Sequence, residues 1–387
     1  MKMISFIGDD AEKCLLPFFA FSPSEAIFIY SHKNISEMTL RTIKKAAELK
    51  EGRTKCRFTD VAFLDKETLI RFLDKLVEDT KNVFFELSAS SAPTTVYISR
   101  YCEERSLCAV CYDRENRCPC PLTSAPIPEY TVPELTVNDI LTIHGASSIR
   151  SGRNAPEEKY FPIFKELIGV ILKDIKAWRR HGKFLQRAQA AYSDGSSVKC
   201  RTELHMKTET LVMDEDLMRA LDKAGAIELI SLANGYVHFR FTDGYIKDCL
   251  CDIGIWTEVI TYLTALKTGR FDDVRMSVKI DWDGEIEDKV FGYAYNEIDC
   301  VLVNDSIPTF ISCKTSEPSI EAVNELYVYG KKFGGPHARL GIVTLCDIET
   351  SNIINTSIAK RCHELDITLI DISDILSGNM EKKLLEM

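Results

Sequence analysis

The chain has 387 residues, 45% hydrophobic and 27% charged, which is enough for two or three domains with real cores. Its 48 basic and 58 acidic residues give a net charge of −10, which excludes a protein that coats nucleic acid by bulk electrostatics and leaves room for a local basic patch or a metal site. Apolar stretches such as Leu15–Phe21 and Leu167–Leu172 are far short of the roughly 20 residues of a membrane span, and the apolar start is stopped at once by Asp9-Asp10. No membrane segment or signal peptide is expected, so a cytoplasmic location is.

In chain order, residues 1–112 alternate strand-like and helical runs. Strands are predicted at Lys2–Ile7, Ala26–Tyr30, Cys56–Ala62, Asn82–Leu87 and Leu107–Tyr112, with helices at Glu12–Phe19, Ser36–Leu49, Lys66–Asp79 and Pro93–Glu104. Strands that are apolar along nearly their whole length, alternating with helices, predict a parallel, doubly wound α/β sheet covered on both faces. Fourteen cysteines are too few for a disulfide scaffold at this length. Cys108, Cys111, Cys118 and Cys120 are read as reduced structural thiols in preference to a zinc site. Their six-residue gap makes a tight loop, and residues three apart on a strand face opposite sides.

A Pro-rich segment, Pro119–Pro133, leads to a short helix at Val137–Ile143. The polar stretch Ser147–Pro156 is expected to end the first domain, 1–150. A helical and hairpin connector, 151–250, follows. It starts with one long helix over Phe161–Ala191, whose later part carries Lys173, Lys176, Arg179, Arg180, Lys183 and Arg187. Those cations read as the solvated face of a connecting or dimer-packing helix, or else as a path for nucleic-acid phosphates. Met213–Leu250 reads as helix, hairpin, helix, the hairpin turning at Asn234-Gly235. The last unit, 251–387, reads as a helix, three strands, then helix, strand, helix, strand.

Several chemistries lose their signatures. There is no G-x-G-x-x-G after the first strand, and no P-loop, H-E-x-x-H or G-x-S-x-G sequence. The informative stretch runs from Gly254 to Lys314. A helix over Ile253–Leu266 has an apolar stripe at Ile255, Val259, Tyr262 and Leu266, and Glu258 falls on it. A carboxylate aimed at a core is costly unless it is paired or metal-bound. Next, Asp299 and Lys314 stand at similar heights on two strands of a hairpin, with Ser312 and Lys314 on one face. For Asp299 and Lys314 alone an ordinary interstrand ion pair is the plain alternative. With Glu258 added, the three outline a metal-dependent phosphodiesterase site using Mg²⁺ or Mn²⁺, which prefer oxygen ligands.

The order helix-Glu, E-x-D, x-x-K resembles the PD-(D/E)xK restriction-endonuclease-like superfamily. More closely, Gly254-x-Trp256-x-Glu258, Asn296-Glu-Ile-Asp299 and Ile311-Ser-Cys-Lys314-Thr315 resemble the CRISPR ancillary nucleases of the Can/Card type. Leu135–Gly145, and Glu325-Leu-Tyr with Phe333-Gly-Gly335, are similar to connecting segments of that family. The resemblance implies an N-terminal Rossmann-like CARF domain that senses cyclic oligoadenylate, joined to a C-terminal nuclease domain. It implies Glu258, Asp299 and the main-chain carbonyl of Cys313 as metal ligands, and Lys314 as the catalytic lysine. At the family's second acidic position stands Ser312, so Glu258 supplies the missing charge, and Glu297 is a further candidate.

In a doubly wound sheet the ligand meets the loops after the first and fourth strands. These hold Gly8 and Asp9, and Ser88, Ser90, Ser91 and Thr94; hydroxyls and free N–H groups at a helix start suit phosphate and ribose. For the second loop a plain turn with an N-cap is the structural alternative. A two-fold symmetric cyclic tetra-adenylate held by two identical pockets implies a homodimer. The expected function is therefore a ring-activated nuclease of type III CRISPR antiviral defence, acting on DNA and/or RNA. Two alternatives stand beside it: a nucleotide-sensing regulatory protein with a decayed nuclease site, and a constitutive repair or restriction nuclease.

Overall fold

A computed structural model describes residues 1–48, 54–62, 65–78, 82–149, 155–195, 197–282, 295–348 and 353–387. The ends of the helices predicted to reach Leu49 and Asp79, and part of the polar stretch Ser147–Pro156, lie outside them.

The N-terminal unit runs β1 (Lys2–Phe6), α1 (Ala11–Phe21), β2 (Glu25–Tyr30), α2 (Glu37–Glu48), β3 (Lys55–Asp60), α3 (Lys66–Glu78), β4 (Val83–Glu86), α4 (Ala92–Glu103), β5 (Cys108–Asp113) and β6 (Cys118–Pro121). The strand order is β3-β2-β1-β4-β5-β6, parallel except for β6. β1 and β4 are buried at every position, which is why neither alternates in polarity. The start of the Pro-rich segment forms β6, an antiparallel edge on β5. Cys111 stands opposite Cys120 and Asp113 opposite Cys118, while Cys108 is buried against the core. Among the described residues no three His, Cys, Asp or Glu side chains are grouped to hold a metal ion.

After α5 (Val137–Ile143) and β7 (Ser147–Ile149), the connector holds α6 (Phe161–Lys173), α7 (Ile175–Tyr192), β8 (Ser193–Asp194), β9 (Ser197–Arg201), β10 (Glu203–His205), β11 (Thr210–Val212), α8 (Glu215–Lys223), β12 (Ile227–Ala233), β13 (Tyr236–Phe241) and α9 (Gly244–Leu250). The single long helix expected over Phe161–Ala191 is two helices. Asp174 takes an extended conformation (φ −151°, ψ 92°), ends α6, and caps α7 by accepting from the Ala177 amide at 2.8 Å. Apolar periodicity runs through both helices and hides the break; the Asp cap makes it. The hairpin turns at Asn234-Gly235 as expected, but the short strands β8 to β11 carried no recognisable period.

His181 on α7 is fully buried, its ring stacked on Phe184, and its Nδ1 accepts the Asp214 amide (3.1 Å). Burial holds it well below the ordinary histidine range, at about 4. The unfolded chain takes up that proton near pH 6.5, so the stabilisation is complete above that pH and is lost as the pH falls from 6.5 towards 4. At pH 5 the loss is about 2 kcal/mol. Denaturant midpoints measured between pH 5 and 7.5 are expected to fall more steeply for the wild type than for His181→Asn, which keeps an acceptor but cannot charge. Equal slopes would mean that the buried ring is not the cause.

The C-terminal unit comprises α10 (Ile255–Thr268), β14 (Asp273–Asp281), β15 (Tyr295–Asn304), β16 (Ile307–Lys314), α11 (Ile320–Phe333), β17 (Arg339–Thr344), α12 (Ile353–Glu364), β18 (Ile367–Ile370), α13 (Ile372–Ser377) and α14 (Asn379–Glu386). Its sheet order is β18-β17-β16-β15-β14-β7, mixed parallel and antiparallel. β7, within the span assigned to the first domain, is thus the edge strand of the second large sheet. The two sheets share one apolar cluster: Met3, Phe18, Phe28 and Phe84 are continuous with Val278, Val303, Phe310 and Phe333 through α1 and α5. α1 is buried on almost all sides for that reason. At this joint Glu12 pairs with Arg114, both largely buried, and the turn at Gly335 (φ 67°) comes so close that a side chain there would crowd His144 and Glu12. Among the described residues no single helix is long and apolar enough to cross a membrane.

Candidate functional site

The C-terminal site is assembled by α10, β14, β15, β16 and α11. Cys300↔Ile311 fixes the register of the hairpin, which sets Ser312 directly opposite Asp299 and Lys314 one diagonal step away. Asp299 Oδ2 accepts from the Cys313 amide (2.6 Å), the Ser312 hydroxyl (3.3 Å) and Lys314 Nζ (3.4 Å). The Cys313 thiol turns the other way and meets Thr261 of α10 at 3.5 Å.

Glu258 reaches the same place from α10. Ile255 and Val259 of the expected stripe are buried, but Tyr262 is only partly covered and Leu266 is 37% exposed; Trp256, Ile260 and Ala265 complete the covered face. Glu258 Oε2 accepts from Ser277 Oγ at 2.8 Å, and the Glu258 carbonyl lies 3.7 Å from the Cys300 thiol. Burial first, and then the neighbouring Asp299 carboxylate, raise the Glu258 carboxyl to about 8, while the Ser277 hydroxyl pulls it down. Two carboxyl groups thus crowd each other in a poorly solvated place, with one lysine beside them.

Ser277 was not anticipated. The pairs Met276↔Cys300 and Val278↔Ile298 place it opposite Asp299, and its backbone is left-handed (φ 52°) in the middle of a strand. Strict alternation breaks there: Met276 and Cys300 pack with α10, whereas Val278 and Ile298 join the core shared with the first sheet. At this kink Ser277, facing Asp299, donates to Glu258 of α10 and so ties the two carboxylate-bearing elements together. A cavity of about 40 Å³ opens beside it, lined by Glu297, Asp299, Ser312, Lys314, Glu325 and Tyr329. The Tyr329 hydroxyl donates to Glu325. The segment holding Glu325 was marked in the sequence as a family likeness, without a role.

The donor set suits a hard divalent cation. Two close carboxylates, one of them destabilised by the other, are what such an ion would neutralise, with waters completing its shell.

The second candidate site lies at the C-terminal ends of β1 and β4, where the strand order reverses. A cavity of about 510 Å³ is lined there by Gly8, Asp9, Asn34, Ser90, Ser91 and Thr94, among others. Gly8 is required by close approach: a Cβ there would sit 2.5 Å from the Ala89 carbonyl oxygen. Asp9 accepts the Ser36 amide (2.9 Å), and that bond with those from Thr39 and Ser36 side chains holds its carboxyl below the usual range. Ser91 caps α4, and its hydroxyl lies 2.9 Å from that of Thr94. Ser88 does not join them. Its hydroxyl accepts the Tyr112 amide (2.7 Å), and it borders a separate cavity of about 310 Å³ with Asp10, Arg114 and His337. Beneath the crevice Glu86, fully buried, accepts from Ser5 Oγ (2.8 Å) and the Ser88 amide (2.7 Å), and burial raises it to about 7.

The chain thus joins a doubly wound sheet, through a helical connector, to a mixed sheet whose strands carry Asp299 and Lys314 and whose packed helix α10 carries Glu258. No family model and no curated protein matches the chain. Solved structures do. Protein VC1899 from Vibrio cholerae matches with a TM-score of 0.73 and 15% identity, covering 100% of this chain and 97% of that one. Can2 from Sulfobacillus thermosulfidooxidans, solved in complex with cyclic tetra-adenylate, matches with a TM-score of 0.63 and 16% identity over 100% and 96%. A type III CRISPR defence DNA nuclease activated by cyclic oligoadenylate matches 94% of this chain at a TM-score of 0.52 and 14% identity, and 51% of that chain. At these identities the likeness is one of fold.

Proposed function

We propose that this chain is a metal-dependent nuclease of type III CRISPR antiviral defence, acting in the cytoplasm as a homodimer and switched on by a cyclic oligoadenylate, cyclic tetra-adenylate above all. The observation that carries the reading is the convergence of Glu258, Asp299 and Lys314: Glu258 is bonded to Ser277 (2.8 Å), Ser277 faces Asp299 across the β14–β15 ladder, and Lys314 Nζ is 3.4 Å from Asp299. Glu258, Asp299 and the Cys313 carbonyl would hold Mg²⁺ or Mn²⁺. When bound, that ion would activate a water and offset the charge that develops on the phosphate.

The protein's own groups do the rest. The Cys313 amide and Ser312 hydroxyl fix the Asp299 carboxylate, and Ser277 fixes that of Glu258. The Lys314 ammonium, half-exposed at the end of β16, orients the attacking water or steadies a phosphate oxygen. In the crevice of the first sheet, the hydroxyls of Ser90, Ser91 and Thr94 and the free N–H groups at the start of α4 receive ribose and phosphate. A ring with two-fold symmetry engages two such crevices, one from each protomer.

The test is incubation with Mn²⁺, plasmid DNA and single-stranded RNA, with and without cyclic tetra-adenylate. Cutting only with the ring is the expected result. Ser312 opposite Asp299 motivates a second reading, a sensor whose nuclease site has decayed, and cutting under no condition would favour it. Cutting indifferent to the ring would favour a constitutive nuclease.

A further inference from the structure

α7 carries Lys176, Arg179, Arg180, Lys183 and Arg187 and no acidic residue, in a chain whose net charge is −10. Lys176, Arg180, Lys183 and Arg187 are spaced four, three and four apart, so they form one stripe, and all four are exposed. The opposite face is buried through Ala177, Trp178, His181, Phe184, Leu185 and Ala188. Asp174, just before the helix, is engaged in capping it. Among the described residues Lys176, Arg180 and Arg187 have no acidic partner, and Lys183 has a single one, Glu209 at 3.7 Å.

The placement works against the helix itself. Lys176 lies in its first turn, where the helix dipole disfavours a cation, and no acidic residue stands in that turn to offset it. Helix stability therefore does not explain that lysine. Arg179, beside the start of the stripe, reaches the strand end that follows Lys314. Arg179 Nη2 is 3.8 Å from the Cys346 sulfur, which is 4.0 Å from the carbonyl of Thr315, the residue after Lys314. From Lys176 to Arg187 the stripe runs about 16 Å, close to five base steps of a nucleic-acid strand.

We propose that this face of α7 is the track that holds the phosphodiester backbone of the nucleic-acid substrate as it leaves the cleavage site. The proposal rests on the nuclease reading and adds to it where the substrate lies. Contact is made to phosphates, so the track is blind to base sequence.

The test uses the full chain with Asp299→Ala, which binds without cutting, in the presence of cyclic tetra-adenylate. Fluorescence anisotropy follows labelled duplex DNA and single-stranded RNA between about 50 and 300 mM salt. Adding Arg180→Ala, Lys183→Ala and Arg187→Ala together is expected to weaken binding at least tenfold and to lower the slope of log affinity against log salt by about 2 to 3. The arm that changes identifies the nucleic acid. These side chains are exposed, so ring binding and the melting temperature stay unchanged, and Arg180→Lys with Arg187→Lys retains the slope. A triple variant with the parent's affinity and slope overturns the track and leaves the nuclease reading standing. A parent that binds neither nucleic acid at any salt overturns both.

Discussion

Lys314→Ala and Asp299→Ala are each expected to reduce ring-stimulated cutting by at least about a thousandfold while cyclic tetra-adenylate binds as before. The asymmetry follows from position. Asp299 takes three hydrogen bonds from consecutive residues of β16, Ser312, Cys313 and Lys314, so it is locked at one spot, and the cation beside it comes from the same strand end. Removing the carboxylate takes away half of the charge available to hold a metal ion, and removing the lysine leaves that charge in place without its partner. Neither residue lines the crevice of the first sheet. Gel assays of plasmid and RNA cleavage, paired with calorimetric titration of the ring, read both halves. Retained cutting in either variant would move the chemistry elsewhere in the chain.

Gly8→Ala is expected to do the reverse, weakening the ring by about thirtyfold or more, near 2 kcal/mol. The added methyl would lie 2.5 Å from the Ala89 carbonyl oxygen. Backbone cannot yield as a flexible side chain does, so the Gly8–Asp10 and Ala89–Ser91 loops must part, and they are the two rims of the crevice. Such overpacking also costs about 1–3 kcal/mol of stability, visible in thermal melts. Cutting should then require far more ring to reach the same rate. Unchanged ring affinity in a folded Gly8→Ala protein would place the activator outside this crevice.

The sequence made some of this readable and concealed the rest for physical reasons. Strands such as Val83–Glu86 are buried on both faces, so their unbroken apolar runs between amphipathic helices mark a doubly wound sheet directly. The carboxylates were legible because Glu258 stands amid apolar neighbours on α10, and because the hairpin spacing sets Asp299 beside Ser312 and Lys314. Ser277 was not legible: nothing in Met276-Ser277-Val278 announces a left-handed residue within a strand, and alternation assigns the wrong faces once the pleat breaks. Ser88 was grouped with Ser90 and Ser91 by composition, but the Tyr112 amide of β5 turns it towards another cavity. The strands β8 to β11 are too short to show a period, and the break at Asp174 depends on one capping bond inside a continuous apolar pattern.

The shared core has a consequence for how a signal can cross the molecule. β7 leaves the N-terminal unit to complete the C-terminal sheet, and Phe18 and Phe28 belong to the same cluster as Phe310 and Phe333. A fragment starting at residue 151 would bare the edge of β14 and a broad greasy face, both invitations to aggregate. The two large sheets are therefore not beads on a string free to swing independently. If the proposed activator binds the crevice of the first sheet, its effect would reach the second through this shared packing, and a cut between the sheets would not leave two separately folded pieces.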